Sequence, residues 1–346
     1  MYLHALATAV PSTAFTQRQC WELAQRSPAL QRLSRRSQLI LRSILTGDSG
    51  IATRHFAVDD IERVFDLTED ELNAAFRHAA PRLAGEALGK ALAQAELRAD
   101  QLDALFLCTC TGYLCPGVTS YVAEQLGLRR DAILHDLVGL GCGAALPTLR
   151  AASHLLAARP EAVVACVAVE VCSAAFYLDD DHGVLVSACL FSDGAAATVW
   201  RGRPGPSGLR CHGFRSLHRP EKRDLLRFEI RQGKLRNLLD RSVPEEAASL
   251  VAELFAGERA APPAAVLVHP GGRDVLAAIG AILPEYSLAD SHAVLKAHGN
   301  MSSPSVLFVL EEHLRTHPAA ARDLWLASFG AGFSAHACRL TDRGQT

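Results

Sequence analysis

Residues 132–171 read AILHDLVGLGCGAALPTLRAASHLLAARPEAVVACVAVEV. An apolar, buried-type run ends at small residues around Gly141 and Gly143, and a helical stretch follows to about residue 158. A second apolar run, AVVACVAVEV at 162–171, then reads as a strand. Strand, helix and strand in that order mean parallel pairing with the helix lying across the sheet, which makes this an α/β protein. The alternation continues outward in both directions. Thr68 and Glu71 have capping-box spacing and open an Ala/Leu-rich helical region to about Glu96, which Pro81 is expected to divide in two. DALFLCTCT (103–111) is a short strand, and Pro116-Gly117 starts the next helix. Residues 17–46 read as helical and basic, interrupted near Pro28, and MYLHALATAV reads as a strand ending at Pro11.

Downstream, CLFSDGAAATVW (189–200) is a strand region interrupted by Asp193-Gly194. Pro204, Gly205, Pro206 and Gly208 form the clearest linker, dividing the chain into 1–203 and 204–346. Beyond it lie AAVLVHPGG (264–272), a helix from Arg273, a helix after Asn300, and a last strand region, DLWLASFGAGFSAHACRL (323–340). The two portions order their strands and helices alike, as two similar packed layers would.

Composition narrows the functional classes. With 49% hydrophobic and 21% charged residues over 346 positions, the chain is ordinary globular and not disordered. Its 35 Lys+Arg against 37 Asp+Glu leave no basic excess for nucleic acid. AVVACVAV is bracketed by Glu161 and Glu170, too short to span a membrane. The apolar N-terminus lacks the basic start of a signal peptide, which favours a cytoplasmic location. Ten cysteines show no disulfide framework. Cys108, Cys110 and Cys115 raise the question of metal, but no second Cys/His pair follows at finger-like spacing, so no metal is expected.

Three residues could carry chemistry. Cys142 sits between Gly141 and Gly143 ahead of a helix, where small neighbours admit a substrate carbonyl and the helix N-terminus favours thiolate. His269 ends an apolar strand, and Pro-Gly-Gly leaves space around its imidazole; a satisfied structural histidine would look the same. Asn300 in AHGNMSSPS is either a functional amide or a helix N-cap. All three stand at strand ends or helix starts, where open α/β sheets hold ligands, and Cys with His is a recognised nucleophile pair. A competing motif overlaps them. Gly139, Gly141 and Ala144 match G-x-G-x-x-A with Glu170 near the ribose position, which would make the protein an NAD-dependent oxidoreductase.

Taken together, LATAVPSTAFTQRQ, CTGYLCPG, GLGCGAA, CLFSDGAAA, VHPGG, HGNMSSPSVLF and SFGAGF resemble the type III polyketide synthases, the chalcone and stilbene synthase-like family, over nearly the whole chain. The resemblance implies a thiolase-like fold, two similar βαβ-type halves in a layered αβαβα arrangement. It implies iterative decarboxylative condensation of malonyl-CoA onto an acyl-CoA starter, then cyclisation, with CoA thioesters as substrates, no cofactor, and a homodimer. Carried over, it makes Cys142 the acyl-accepting nucleophile and His269 and Asn300 the pair acting on the thioester carbonyl. Phe191 matches the family's gatekeeper, and Cys110, Thr111, Ala175 and Ser302 fall at cavity positions. The early arginines Arg35, Arg36 and Arg42, and the basic stretch 218–241, are candidates for the CoA phosphates, or solvated surface. HPGG separates the chain from the alternative, a ketoacyl-carrier-protein synthase-like enzyme. Ser192 departs from the family's Gly, Ala331 departs from its Pro, and Arg236 or Asn237 stands near a second cavity Phe.

Overall fold

Alternation along each strand decides which helix covers which face. In the computed structural model, which describes residues 1–318 and 323–342, β1 (Tyr2–Ala9) and β2 (Ala14–Thr16) lead into α1 (Gln17–Arg26), α2 (Pro28–Arg32) and α3 (Arg35–Thr46). β3 (Thr53–His55) and the long α4 (Glu69–Gln94) follow. Next come β4 (Ala104–Cys108), α5 (Val118–Leu126), β5 (Ile133–Leu137), α6 (Ala145–Ala158) and β6 (Val164–Glu170). α7 (His182–Leu190) precedes β7 (Gly194–Arg201). After the Pro/Gly stretch come β8 (Arg210–His218), the hairpin β9 (Leu226–Arg231) and β10 (Lys234–Leu239), and α8 (Val243–Phe255). β11 (Ala265–Val268), α9 (Arg273–Ile282), α10 (Ala289–His298), α11 (Ser305–Thr316), β12 (Asp323–Gly330) and β13 (Ser334–Thr341) complete the order.

Nine strands run β11-β12-β13-β8-β1-β7-β6-β4-β5. β4 pairs in parallel with β5 and β6, and β11 with β12, as the βαβ reading requires. A single register pair, Tyr2 opposite Arg210, joins β1 to β8 and so the two groups of strands. Burial sorts into layers. Leu105, Leu107, Ala165, Val167 and Val199 face α4, while Phe106, Cys166, Ala168 and Trp200 face α6 and α11. Leu267, Leu324, Leu326 and Cys338 meet those same two helices from the other side. Val268, Trp325, Ala327 and Ala337 turn outward to α8 and α9. The result is α, β, α, β, α, with α6 and α11 at the centre.

Four expectations need correction. Pro81 does not divide α4, which runs unbroken through it. Leu83, Ala84, Ala87, Leu88 and Ala91 are fully buried in that helix, and their packing offsets the hydrogen bond a proline cannot make. The run at 132–141 is not buried throughout: β5 is an edge strand, with Leu134 37% and Val138 55% exposed. Residues 189–200 are not all strand, since Cys189 and Leu190 close α7. The last strand region is two antiparallel strands, because Gly330, Ala331 and Gly332 allow a tight reversal.

Candidate active site

Cys142 occupies a single 3-10 turn, Gly141–Gly143, immediately before α6. Gly139 and Gly141 have φ of +89° and +57°, values that favour glycine. The segment between β12 and β13 presses on this turn. A Cβ on Gly330 would lie 2.5 Å from the Leu140 carbonyl oxygen and 2.6 Å from Gly143 N, so only glycine fits. Ser328 Oγ donates to the Gly143 carbonyl at 3.0 Å. The Cys142 turn is thus held by residues nearly two hundred positions later.

His269 follows β11, its N–H bonded to Ala327 O at 2.9 Å. Its ring meets Phe329 edge to face, 5.1 Å between centroids. Both ring nitrogens are buried and have no partner among the described residues, so the imidazole is not a satisfied structural histidine. Asn300 is not a helix cap either, because α11 begins only at Ser305. A backbone bridge instead ties it to Phe191: Asn300 N–H donates to Leu190 O, and Ser192 N–H donates to Asn300 O. Its Nδ2 donates to Gly271 O at 3.1 Å and its Oδ1 accepts from Ser302 N at 2.8 Å. One amide hydrogen is left for a ligand.

Cys142, His269, Asn300, Phe191 and Phe329 line one cleft of about 630 Å³. Phe191 also lines a second, almost filled chamber, which Thr111, Ala175 and Ser302 share. Cys110 lines neither: its Sγ lies 3.2 Å from Ser302 Oγ, beside a residue that does. Cys108 is in the central core, and Cys115 is exposed. Arg35, Arg36 and Arg42 are exposed on α3 and do not line the cleft. The end of that helix does, through Ser43 and Ile44, and Arg35 and Arg36 stand about 10 Å back along the axis. The arginines at the cleft are Arg241 and Arg273, of which only Arg241 belongs to the basic stretch expected.

Burial dominates the electrostatics. It pushes the Cys142 thiol up to about 12, against the pull of the Ser302 hydroxyl, which donates to Sγ at 3.2 Å. It also holds His269 down to about 3. Glu170 is fully buried and accepts from Cys110 N, Thr111 N, and the hydroxyls of Thr111 and Ser303, at 2.9, 3.1, 2.8 and 2.5 Å. Burial raises it above the usual carboxylate range, and these donors draw it back. Its oxygens are committed to the Cys110–Ser303 framework, so it cannot take a ribose.

Other contributors give little sign in the sequence. Arg54 is fully buried, its Nη1 donating to the carbonyls of Ala188 and Phe191 at the end of α7. That cation meets the negative end of the helix and fixes the Phe191 backbone. Ser192, the departure from the family's Gly, exchanges hydrogen bonds with the His55 backbone. Ser302, which the resemblance puts at a cavity position, also contacts Cys142, and that contact spans 160 positions.

Residues 8–205, more than half the chain, match the family model described as FAE1/Type III polyketide synthase-like protein. The 1,3,6,8-tetrahydroxynaphthalene synthase of Streptomyces peucetius subsp. caesius is 33% identical over 312 residues, 86% of this chain and 82% of the relative. The chain belongs to the type III polyketide synthase family. The crystal structure of 1,3,6,8-tetrahydroxynaphthalene synthase from Streptomyces coelicolor A3(2) superposes on this polyketide synthase with TM-score 0.86 and 27% identity, over 99% of both chains. PKS-I from the brown alga Ectocarpus siliculosus gives TM-score 0.90 at 25% identity, over 99% of this chain and 98% of its own. The thiolase-like fold and acyl transfer by iterative malonyl-CoA condensation follow from this membership. The dinucleotide reading and the carrier-protein synthase alternative are both set aside by it.

Proposed function

We propose that Cys142 carries the acyl chain while His269 and Asn300 handle the thioester oxygen. The observation that supports this is the convergence of the three side chains, from segments 269, 300 and 142 positions into the chain, on one cleft. Cys142 Sγ attacks the starter acyl-CoA, passing its proton to His269. The carbon–sulfur bond to CoA breaks, and the proton leaves on the CoA thiol. Malonyl-CoA then loses carbon dioxide, and its thioester oxygen takes up the negative charge. An N–H from His269 and the free Asn300 amide hydrogen stabilise that enolate. The enolate carbon attacks the Cys142 thioester, and the cysteine sulfur leaves, ready to receive the lengthened chain. Arg241 and Arg273, at the cleft, are placed to meet the CoA phosphates.

The substrates are an acyl-CoA starter and malonyl-CoA, with no further cofactor. The product is a small hydroxylated ring, in line with the tetrahydroxynaphthalene made by the Streptomyces relative. The enzyme works in the cytoplasm as a homodimer, and the linker at 204–208 separates its two halves. Intact-mass spectrometry after incubation with acyl-CoA tests the core of this reading. Cys142→Ala should show no acyl adduct, and an adduct on that variant would remove the assignment. Asn300→Ala should lower malonyl-CoA decarboxylation by about two to three orders of magnitude.

A further inference from the structure

The chamber beyond Phe191 is built mainly of apolar and aromatic side chains, and one of its walls is the β9–β10 hairpin. Alternation turns Leu235 and Asn237 to the same side of β10, and Phe228 stands directly opposite Asn237 on β9. All three line the chamber. An amide therefore occupies a position where the pattern of the hairpin calls for another hydrocarbon. Asn237 is only 4% exposed.

The hydrogen bonds around it fix which way the amide points. Ser187 Oγ donates its proton to Gly183 O at 2.6 Å, so it can only accept from Asn237, and Nδ2 donates to it at 2.8 Å. Oδ1 is then left as an acceptor shut off from solvent, with no partner among the described residues. Two further hydroxyls of the chamber are engaged: Thr111 Oγ1 donates to Glu170, and Ser302 Oγ donates to Cys142 Sγ. Of the polar side-chain atoms lining this chamber that are closed to solvent, Asn237 Oδ1 is the unmet one among the described residues. The free space in the chamber, about 20 Å³, matches one water or one hydroxyl group. A buried acceptor without a donor is unfavourable, and it discriminates strongly between ligands that bring an O–H and ligands that do not.

We propose that Asn237 is a specificity-determining residue that accepts a hydrogen bond from a single enol or phenol hydroxyl of the intermediate on Cys142, so that the site favours oxygen-rich, malonyl-built intermediates over alkyl chains. The inference rests on the reading that Cys142 holds the growing chain and that one hydroxyl of it reaches the chamber beside Phe191. A poly-β-ketone supplies an enol O–H every second carbon, and a saturated acyl chain supplies none. Arg236 holds the hairpin to Asp181, which also caps α7, so the amide is presented from a fixed wall.

The test compares wild type with Asn237→Leu, which keeps the volume and loses the acceptor, and Asn237→Asp. In its neutral form that aspartate donates to Ser187 Oγ and presents an acceptor to the chamber, and the assays are run at pH 6 and below. Steady-state kcat and KM are measured with malonyl-CoA alone and with octanoyl-CoA plus malonyl-CoA, and the products are identified by mass spectrometry. In Asn237→Leu, the ratio of kcat/KM for malonyl-CoA alone to that for octanoyl-CoA should fall by about tenfold or more. Asn237→Asp should restore most of it. An unchanged ratio in the leucine variant, or a fall that the aspartate does not reverse, overturns the proposal. Asn237→Ala replaces the leucine variant if that one does not fold, with the same expected direction. Release of carbon dioxide from malonyl-CoA by wild type is followed in parallel: its absence would remove the reading of the Cys142 site, whereas an unchanged ratio removes only the role of Asn237.

Discussion

Burial opposes the charged form of each reactive group in the cleft, lifting Cys142 to about 12 and lowering His269 to about 3. Taken singly, each is neutral at pH 7. In the proposed mechanism a thiolate forms when the proton moves to the imidazole, so that both groups become charged together. The N-terminal end of α6 and the Ser302 hydroxyl favour the anion. His269→Gln removes the proton acceptor, and alkylation of Cys142 by iodoacetamide at pH 7 should slow by about tenfold or more. An unchanged rate would mean that the thiolate forms without the imidazole. Asp193 gives a second prediction. It accepts from Ala57 N at 2.6 Å, Ser173 N at 2.8 Å and the Ser173 hydroxyl, yet burial outweighs these bonds and raises it to about 6. In the unfolded chain it titrates near pH 4. Between about pH 4 and 6 the folded state binds this proton more tightly, so the contribution of Asp193 to stability falls as pH rises through that window. The loss is on the order of 3 kcal/mol. Urea midpoints at pH 4 and 7 should show Asp193→Asn gaining on wild type at the higher pH. An equal difference at both pH values would contradict the assignment.

At the scale of elements, the site depends on contacts between segments that are distant in sequence. Gly330 is one such contact: its missing Cβ lets the β12–β13 reversal lie on the backbone of the Cys142 turn. Gly330→Ala would force that turn to move. The variant should lose about 1–3 kcal/mol of stability and more than about tenfold in turnover, measured by thermal melting and carbon dioxide release. Full activity would mean that the turn tolerates the displacement. Several elements were plain from local pattern. The capping box at Thr68 and Glu71 opens α4 as its spacing predicts, with Thr68 N–H donating to Glu71 at 2.8 Å. Pro81 misled because a local rule cannot weigh the burial that holds α4 together on both sides of it. β5 misled in the opposite sense, since apolar content alone does not say whether a strand has a neighbour on its far side.

For the molecule as a whole, the open edge is a matter of assembly. Leu134 and Val138, 37% and 55% exposed, lie on and just past β5, and Tyr113, 77% exposed, follows the neighbouring β4. Exposed apolar groups beside an unpaired strand favour a second copy of the chain as their cover. Val138→Asp should move the sedimentation coefficient from dimer toward monomer. A wild-type protein that sediments as a monomer would remove the dimer from the proposal.

Local chemistry is written in order along the chain, and for that reason the α/β class, the glycine-flanked Cys142 turn and the strand-end position of His269 could be read without coordinates. Each depends on neighbours a few residues away. The direction of a side chain at the site depends on segments that meet only after the layers pack. Glu170 could pass for a ribose ligand until Cys110, Thr111 and Ser303 closed around it. Arg35, Arg36 and Arg42 looked suited to phosphate until the end of α3, with Arg241 and Arg273, was found at the cleft instead. Asn237 is one polar residue in a basic stretch until the hairpin folds its amide into an apolar chamber. Burial and convergence are properties of the packed chain, and there the tertiary structure decided.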